Sequence, residues 1–467
     1  MMPLPLSRIA AWTGGRVAGD DATVDAVSID TRTLDAGDGR ATLFVALKGE
    51  RFDGHDHAAA ALAAGARALL VSRRLPLDAP QVVVADTERA LGDFAAALQR
   101  GRETRIAAIT GSNGKTSVKA MLLPILERMA VAQGRAAYAN PGNRNNEIGL
   151  PLAVIEAPED AAYAAYEMGA GKPGDIAYLT AIARPDAALV NNIAPAHLER
   201  MGSLLGVADT KAAIYDALPP DGVAAINADD AFAPYFAERA HGRRLLRFGL
   251  DASADVTARD IAADAEGSRF VLATPAGEVV VAIALPGRHN VRNALAAASL
   301  ALGLGAGLEA IRDGLAAARP VAGRLVRHAL RGGATLVDDS YNANPGSLNA
   351  AVELLAAGRR PGWLVLGDMR ELGDDALALH AEAGRRAKAA GLARLYALGP
   401  LSAAAAEGFG AGARHFDSHD ALAAALRDDL AAVAAGDAPV VLVKGSRGSA
   451  MDKIVKALLQ GEAADAA

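Results

Sequence analysis

The stretch Ile106–Met121 constrains the fold of this chain more than any other. It reads IAAITGSNGKTSVKAM: an apolar run that predicts a buried strand ends at Thr110, a loop with two glycines follows, and Lys115 opens a predicted helix. In such a loop the backbone N–H groups point at an anion, and the helix N-terminus adds the positive end of its dipole. The strict pattern G-x-x-x-x-G-K-[ST] is not met, because Ile109 stands where its first glycine would fall. Strand, loop and helix together still favour a phosphate-binding loop over a glycine-containing turn with a solvated lysine.

The residues of this loop have separable predicted roles. Gly111 and Gly114 allow the backbone to wrap closely around a ligand without a Cβ clash. Lys115 is expected to reach the β- and γ-phosphates of a nucleotide, and the Thr116 hydroxyl is expected to bind Mg²⁺. The predicted nucleotide contacts of the loop are Gly111, Ser112, Asn113, Gly114, Lys115, Thr116 and Ser117.

Short apolar runs alternate with Ala-rich helical stretches along the chain. Several of these runs are apolar on both faces, as a strand covered on both sides requires, and Gly, Asn or Asp follows many of them. Such alternation predicts α/β domains with mostly parallel sheets. The predicted strands include Ile106–Thr110, Ala187–Ile193, Thr335–Asp338, Trp363–Gly367 and Val440–Val443, and Arg269–Leu285 is predicted to form a hairpin.

The length of 467 residues suggests about three domains, at roughly 150 residues for each. Two segments interrupt the pattern just before new series of strands: Gln99–Thr104, which is charged, and Ala318–Arg324, which contains a proline and a glycine. We therefore expect domains at 1–102, 103–321 and 322–467. The chain has no G-x-G-x-x-G fingerprint, which argues against a dinucleotide site.

Composition excludes several classes of protein. The formal net charge is −6 and aromatic residues make up 4% of the chain, so neither a basic surface nor a stacking platform for nucleic acid is expected. The absence of cysteine excludes disulfides, thiolate metal sites and cysteine nucleophiles, and it suits a reducing compartment. No signal peptide is visible, and the apolar stretch Ala294–Leu308 is too short to span a bilayer. The sequence predicts a soluble cytoplasmic protein without membrane insertion.

Further motifs extend the signal of the phosphate loop over nearly the whole chain. With Asn113 between its glycines, the loop GSNGKT resembles the variant of the Mur ligase family. The resemblance implies a central P-loop-type ATPase domain with a parallel sheet, flanked by an N-terminal UDP-sugar-binding α/β domain and a C-terminal Rossmann-like domain. The other motifs follow in the order of that family: SIDTR (28–32), FVALKGERFDGH (44–55), NRNNEIGLP (143–151), EMG (167–169), NNIAPAH (191–197), PGRHNVRNA (286–294), DDSYNANP (338–345), LGDMRELG (366–373) and KGSR (444–447).

This resemblance implies ATP-dependent amide formation, in which a substrate carboxylate takes the γ-phosphoryl group of ATP and an amine then displaces phosphate. The motifs NNEIGLP and DSYNANP resemble the branch that joins D-alanyl-D-alanine to UDP-N-acetylmuramoyl-tripeptide in cytoplasmic peptidoglycan precursor synthesis. Two alternatives stay open. One is a sibling ligase or a folylpolyglutamate synthase that adds a single amino acid, and the other is a non-enzymatic nucleotide-dependent switch. A monomer is expected.

Two Mg²⁺ ions are also implied, because cations must neutralise the phosphates and the attacking carboxylate. Thr116 would bind the first, and Glu167, His197 and Lys211 the second, with Lys211 at a position where Mur ligases carry a carbamylated lysine. A carbamate offers anionic oxygens where an ammonium would repel the metal. Taken alone, Glu167 reads as a surface carboxylate, His197 as a structural histidine and Lys211 as a solvated lysine, and the usual Lys-Gly-Glu of the family is Lys-Ala-Ala at 211–213. The implied catalytic residues are Lys115, Glu167, His197 and Lys211.

The remaining candidates are implied by motif position alone. Taken singly, charged residues of this kind more often form surface ion pairs, and asparagines before a helix more often cap it. The expected ATP contacts outside the loop are His289, Asn290, Asn293, Arg324 near the phosphates and Asp338 at a ribose hydroxyl. The expected substrate contacts are Ser28, Asp30, Arg32 and Lys48 for the UDP-sugar, Asn145, Asn146 and Glu147 for the muramoyl-peptide, and Tyr341, Asn342, Asn344, Lys444 and Arg447 for the dipeptide.

Overall fold

Strands and helices alternate through three successive α/β units, each built on its own main sheet. The predicted α/β class with mostly parallel sheets is confirmed. The computed structural model describes residues 1–35, 37, 39–195, 198–264, 266–434 and 436–463.

The N-terminal unit has a five-stranded sheet of order β2-β7-β6-β5-β4, in which only β2 is antiparallel to its neighbour. A two-stranded pair, β1-β3, lies apart from it. The elements are β1 (Leu4–Pro5), α1 (Leu6–Thr13), β2 (Arg16–Ala18), β3 (Thr23–Val24), β4 (Ala26–Ser28), β5 (Thr42–Val45), α2 (Ala58–Ala63), β6 (Ala66–Val71), β7 (Gln81–Val83) and α3 (Thr87–Arg100).

The central unit has a six-stranded parallel sheet of order β13-β12-β11-β8-β10-β9. Strand β8 lies between β10 and β11, where the order along the chain reverses, and ligands of open α/β sheets bind at the carboxyl end of such a point. The elements that build this sheet are β8 (Arg105–Thr110), α4 (Lys115–Val131), β9 (Ala136–Ala139), α5 (Gly149–Glu156), β10 (Ala161–Glu167), α6 (Asp175–Ala183), β11 (Ala187–Val190), α7 (Leu198–Met201), α8 (Leu204–Asp216), β12 (Val223–Asn227), α9 (Ala233–Arg239) and β13 (Arg244–Phe248).

A three-stranded antiparallel sheet of order β14-β15-β16 follows within the same unit. The predicted hairpin corresponds to its last two strands and is confirmed. The first strand was not predicted, because most of its residues are exposed and show no apolar alternation. The elements are β14 (Thr257–Ala263), β15 (Ser268–Thr274), β16 (Gly277–Ile283), α10 (Arg288–Gly303) and α11 (Leu308–Ala317).

The C-terminal unit has a six-stranded sheet of order β17-β18-β22-β19-β20-β21, parallel except for β17. Asn344 caps α12 through its side chain, and Pro345 occupies the first helical position. The elements are β17 (Val326–Ala329), β18 (Thr335–Asp339), α12 (Pro345–Ala356), β19 (Gly362–Gly367), α13 (Ala376–Ala389), β20 (Arg394–Leu398), α14 (Ser402–Phe409), β21 (Ala413–Phe416), α15 (His419–Ala431), β22 (Val440–Lys444) and α16 (Asp452–Ala463).

One continuous hydrophobic core joins the N-terminal and central units. Helix α3 packs against α5 and α6, and the approach is so close that a Cβ on Gly92 would lie 2.0 Å from the Tyr178 hydroxyl. The C-terminal unit has separate cores on the two faces of its sheet. We propose domain limits at 102/103 and 321/322, within the connections that link the three sheets.

Among the described residues, no helix combines the length and the apolar character that crossing a bilayer requires. The longest described helix is α4, which has 17 residues and carries charged side chains.

Candidate active site

A cleft of about 370 Å³ opens at the carboxyl edge of the central sheet, facing the C-terminal unit. The P-loop, defined here as residues 111–116 between β8 and α4, forms one wall of this cleft. Residues 145–147 and Glu167 form a second wall, and residues 341–344 of the C-terminal unit form a third. The expected nucleotide loop, metal ligand and dipeptide residues therefore meet at one place.

The neighbouring strand holds the P-loop in shape. The Asn113 backbone N–H donates to Asn192 Oδ1 at 2.8 Å, and Asn191 Nδ2 donates to the Asn113 carbonyl at 2.9 Å. Gly114 has a φ of 80°, and a Cβ there would lie 2.5 Å from Asn191 Nδ2. The strand predicted as Ala187–Ile193 ends at Val190, because the two asparagines after it bond to the loop instead of extending the sheet.

Lys115 opens α4, as predicted, and its side chain folds back over the loop. Its Nζ donates to the Gly111 carbonyl at 2.7 Å. Burial lowers the pKa of the Lys115 ammonium below its ordinary value, and the Glu167 carboxylate partly opposes this shift. Thr116 follows and lines the same cleft. An ammonium that rests on a loop carbonyl can exchange that oxygen for a phosphate oxygen at little cost in geometry.

Glu167 ends β10 and is 3% exposed. Its backbone N–H donates to Asn140 Oδ1, and Asn140 Nδ2 donates to its carbonyl. Its Oε1 accepts from Asn145 Nδ2 at 2.9 Å, whereas its Oε2 has no hydrogen-bond partner among the residues that the structure describes. The surface-carboxylate interpretation is therefore wrong, since the group is buried.

Sequence reasoning missed two residues around Glu167. Lys119 lies 3.4 Å from Glu167 Oε2, and Asn140 brackets the Glu167 peptide group as described above. The spacing of Lys119, four residues after Lys115, places both on one face of α4 and was a usable signal. The role of Asn140 depends on a contact over 27 residues of chain, which no local pattern reveals.

Lys211 lies in α8, is 1% exposed and does not line the cleft. Burial, assisted by the charge of Lys115 and partly opposed by Asp175, lowers its pKa to about 7. The solvated-lysine interpretation is therefore wrong. His197, the other residue expected beside it, lies outside the described residues.

The buried Lys211 amine predicts an unusual dependence of stability on pH. Between about pH 7 and pH 10.5 the unfolded chain binds a proton at this lysine that the native chain does not, so the free energy of unfolding rises with pH across that window. We expect Lys211→Met to unfold at a higher temperature than the natural protein near pH 7 and to lose this advantage towards pH 10. Thermal unfolding in bicarbonate-free and metal-free buffer measures the gap, and a gap independent of pH would contradict the assignment.

A second cleft, of about 290 Å³, adjoins the other side of the P-loop. It is lined by His289, Asn290 and Asn293 at the start of α10, as the motif implied, and by Arg324 from the connection to the C-terminal unit. Burial lowers the pKa of His289 to about 4, so its imidazole is neutral at neutral pH. Arg324 lines both clefts.

Asp338, expected at this second cleft, does not line it. Its Oδ1 accepts from the Ser340 hydroxyl at 2.6 Å, and its neighbour Asp339 lines the cleft instead. Successive side chains of a strand point to opposite faces, so only one residue of the pair lines this cleft. The contact of Asp338 with ATP stays a prediction, and Asp339 is the residue of the pair that lies at the cleft.

The dipeptide candidates divide into two groups. Tyr341, Asn342 and Asn344 line the first cleft. Lys444, expected to hold a carboxylate, is 2% exposed, and its Nζ donates to Asp339 Oδ2 at 2.5 Å and to the Asn342 carbonyl at 3.0 Å. It stabilises β18 and the turn after it and also lines the second cleft, so a direct contact of Lys444 with the dipeptide stays a prediction.

The Tyr341 ring carries two guanidinium groups nearby. The Arg324 guanidinium carbon lies 4.3 Å and that of Arg447 5.8 Å from the ring centroid. Arg447 is exposed and does not line the cleft. These contacts place two cations beside residue 341. Arg324 lines both clefts, whereas Arg447 is exposed.

Asn344 contacts the P-loop across the two units. Its Oδ1 accepts from the Ser347 backbone N–H, which caps α12, and its Nδ2 donates to Asn113 Oδ1 at 2.7 Å. The amide is therefore shared between a helix cap and a contact with the nucleotide loop. This arrangement ties the position of the C-terminal unit to the P-loop.

The muramoyl-peptide candidates lie at the first cleft. Asn145, Asn146 and Glu147 all line the cleft. Asn146 Oδ1 accepts from the Gly149 backbone N–H at the start of α5, and Asn145 Nδ2 donates to Glu167. Sequence reasoning missed two cations on the same lining, Lys172 and Arg200.

The UDP-sugar candidates lie in the N-terminal unit and do not line either cleft. The exposed Arg32 guanidinium forms an ion pair with Asp30 at 2.6 Å. The Ser28 hydroxyl donates to the Asp30 carbonyl, and Lys48 and Asp53 form an isolated backbone β-bridge. The structure therefore keeps these four residues together in one unit but apart from the P-loop.

Comparison with known proteins settles the family. Three family models match this chain: the Mur ligase family catalytic domain at residues 23–104, the Mur ligase middle domain at 109–301 and the Mur ligase glutamate ligase domain at 323–447. The UDP-N-acetylmuramoyl-tripeptide–D-alanyl-D-alanine ligase of Escherichia coli (strain K12) is 45% identical over 461 residues, which cover 98% of this chain and 99% of that protein. The chain is a Mur ligase.

Solved structures agree with this Mur ligase in fold over almost its entire length. A crystal structure of MurF from Acinetobacter baumannii superimposes with a TM-score of 0.92 at 32% identity, covering 98% of this chain and 99% of that one. MurF ligase from Thermotoga maritima in complex with ADP gives a TM-score of 0.82 at 26% identity, covering 95% and 99%. The three-unit architecture expected from the motifs is thereby confirmed.

Proposed function

We propose that this Mur ligase joins D-alanyl-D-alanine to UDP-N-acetylmuramoyl-tripeptide in peptidoglycan precursor synthesis, with cleavage of ATP to ADP and phosphate. The observation that carries the proposal is the convergence of the P-loop, the Glu167 carboxylate and the turn 341–344 on one cleft. The E. coli and A. baumannii relatives, similar over 98% of this chain, support the choice of substrates. The proposal places the reaction in the cytoplasm, where ATP is available.

ATP is proposed to lie across both clefts. The P-loop N–H groups and Lys115 would bind its phosphates, since they already surround a space of suitable size and charge. His289, Asn290 and Asn293 would face the base and Asp339 the ribose, because these residues line the adjoining cleft. Arg324 lines both clefts and would neutralise phosphate charge between them.

The residues of the first cleft suit one Mg²⁺ ion. The buried Oε2 of Glu167 lacks a hydrogen-bond partner, and carboxylate and hydroxyl oxygens are the ligands that Mg²⁺ prefers. Glu167 and Thr116 would hold the ion, which when bound neutralises phosphate charge and polarises the γ-phosphoryl group. For a second ion, no group of three His, Asp or Glu side chains fits a metal within the part of the chain that the structure describes.

Lys211 is proposed to contribute to that second site as a carbamate. Only the neutral amine attacks CO₂, and burial brings the Lys211 pKa to about 7, so a large fraction of the amine is neutral at physiological pH. Attack of Nζ on the carbon of CO₂ forms one N–C bond and releases one proton, leaving an anionic carbamate. Residues 211–213 offer no second acid, so the carbamate would supply the negative charge.

The reaction is proposed to proceed in two displacements. The tripeptide carboxylate attacks the γ-phosphorus, the bond to the bridging oxygen of ADP breaks, and an acyl phosphate forms beside Lys115 and Arg324, whose charges stabilise it. The dipeptide amine then attacks the acyl carbon, phosphate leaves with the former carboxylate oxygen, and the amine loses a proton. The tripeptide would extend from Ser28, Asp30, Arg32 and Lys48 towards Asn145 and Glu147.

The turn 341–344 is proposed to orient the dipeptide, with Arg447 as the cation for its carboxylate. Amides such as Asn342 both donate and accept hydrogen bonds, which suits a zwitterion. Arg447 lies beside Tyr341 and is exposed, so its guanidinium is free to turn towards a carboxylate. Lys444 would support dipeptide binding indirectly, because its Nζ holds Asp339 and the Asn342 carbonyl in position.

Variants of Asn344 separate its cap from its contact with the P-loop. Asn344→Ala removes both and should lower the free energy of unfolding by about 1 kcal/mol, whereas Asn344→Ser retains a capping oxygen but cannot reach Asn113. We expect both variants to raise the KM for the dipeptide several-fold, and only the alanine variant to lose stability in denaturant unfolding. A serine variant with the natural KM would show that the contact with Asn113 plays no part in catalysis.

Phosphate release by the purified protein with ATP and Mg²⁺ tests the proposed function. The amines compared are D-alanyl-D-alanine, single D-alanine and single L-amino acids, each with and without UDP-N-acetylmuramoyl-tripeptide. Release that requires both the tripeptide and the dipeptide is the expected result. Release with a single amino acid in place of the dipeptide would reassign the protein to a sibling activity.

A further inference from the structure

Lys119 is a buried charge that the reaction proposed above does not use. It lies one helical turn after Lys115 on α4 and is 7% exposed. Its Nζ donates to the carbonyls of Asn140 at 2.7 Å and Gly142 at 3.1 Å, and lies 3.4 Å from Glu167 Oε2. An ammonium has three N–H donors, and these three oxygens are its polar neighbours.

Hydrogen bonds link the neighbours of Lys119 into a network around Glu167. Lys119 bonds to the Asn140 backbone, and the Asn140 side chain brackets the Glu167 peptide group on both sides, donating to its carbonyl and accepting from its N–H. Asn145, at the other end of the same loop, donates to Glu167 Oε1. The Gly169 N–H donates to the Asn145 carbonyl at 2.8 Å. The loop 140–145 is thereby wrapped around the end of β10.

Within this set, Glu167 Oε2 is the exception. It is buried and, within the described part of the chain, lacks a hydrogen-bond partner, although Lys119 Nζ approaches it to 3.4 Å. One carboxylate oxygen is therefore fixed by Asn145, while the other lies beside a cation without being committed to it. Burying an ammonium is costly unless it is paired, and a methionine of similar length would fill this space at lower cost if packing were the only requirement.

We propose that Lys119 is a positioning residue: together with Asn140 and Asn145 it fixes the Glu167 carboxylate in the one orientation that leaves Oε2 available to a divalent cation. The inference rests on the proposed role of Glu167 as a metal ligand. The pairing of Lys119 with Glu167 also neutralises the carboxylate charge, so the charge of Lys115 remains available to the phosphates.

Titration of the ADP complex with Mn²⁺, followed by electron paramagnetic resonance, tests this role without reference to turnover. Lys119→Met should weaken Mn²⁺ binding about tenfold and raise the Mg²⁺ concentration for half-maximal phosphate release by a similar factor. Lys119→Gln, which keeps an amide donor for the Asn140 carbonyl, should show a smaller shift in the same direction and serves if the methionine variant does not fold. ADP binding without metal should be unchanged in both.

Arg135→Met is the matched control. The Arg135 guanidinium donates to the carbonyls of Asp160 and Ala161 at the start of β10, so its loss perturbs the same strand at the end away from Glu167. Its Mn²⁺ affinity should stay within twofold of the natural protein.

Three results would overturn the proposal. Unchanged Mn²⁺ affinity in Lys119→Met would show that Lys119 plays no part in metal binding. Tighter Mn²⁺ binding by that variant would show that Lys119 only repels the cation. An equal loss of Mn²⁺ affinity in Arg135→Met would show that Lys119 merely supports β10. The titration is also independent of the proposed substrates. Absence of dipeptide-dependent phosphate release would refute the proposed function while the Mn²⁺ affinities still decided the role of Lys119.

Discussion

Lys115→Met is expected to lower phosphate release by about 10³-fold or more while the protein remains folded. Lys115 is half-buried at the cleft, and its Nζ donates to the Gly111 carbonyl at 2.7 Å, within the loop that would hold the phosphates. Loss of a preorganised charge at a developing anion costs on this scale. Because burial lowers the pKa of Lys115, removing the amine should not destabilise the native state.

Turnover, nucleotide binding and thermal unfolding of Lys115→Met would be measured together. Lys388→Met is the matched control, since Lys388 also donates to a backbone carbonyl, that of Ala411, in the C-terminal unit. The control should keep its turnover. A Lys115 variant with more than a tenth of the natural rate would exclude this lysine from the transfer of the phosphoryl group.

Lys211→Met is expected to lower turnover by about 100-fold or more, since a ligand of the proposed second metal site would be lost. The natural protein, stripped of CO₂, should lose activity and regain it when bicarbonate is added. The variant should respond to neither treatment. A carbonyl signal from ¹³C-labelled bicarbonate, present in the natural protein and absent from the variant, would identify the carbamate directly.

The outcome that contradicts the carbamate is a natural protein whose rate is independent of bicarbonate and whose labelled spectrum is empty, with Lys211→Met nevertheless inactive. Lys211 would then act as an amine. The Lys388→Met control should behave like the natural protein in every arm. Lys388 is far from the cleft residues in sequence and donates to the Ala411 carbonyl.

Features set by adjacent residues were predictable from the sequence. The apolar run before Gly111 and the Lys-Thr pair after Gly114 fixed β8, the P-loop and the start of α4, because each depends on local backbone preferences and periodicity. The start of α12 is of the same local kind, since Asn344 and Pro345 are a cap and a first helical residue. The hairpin β15-β16 follows from two alternating runs around a short turn.

Features set by long-range contacts were not predictable. Asp339 and not Asp338 lines the second cleft because of which face of β18 meets that cleft. The motif DDSYNANP does not specify this face. The pairing of Lys444 with Asp339 spans 105 residues. Burial of Lys211 and Glu167 follows from packing within the central unit, where Asn140 and Lys119, distant in the chain, surround Glu167; each looks like an ordinary polar residue in its local sequence.

The transfer of a carboxylate oxygen to phosphate tests the central claim most directly. UDP-N-acetylmuramoyl-tripeptide labelled with ¹⁸O in its terminal carboxylate would be incubated with ATP, Mg²⁺ and D-alanyl-D-alanine, and product and phosphate would be analysed by mass spectrometry. The account predicts a product extended by the dipeptide and one ¹⁸O atom in each phosphate released. Unlabelled phosphate, or phosphate released without the extended product, would contradict it.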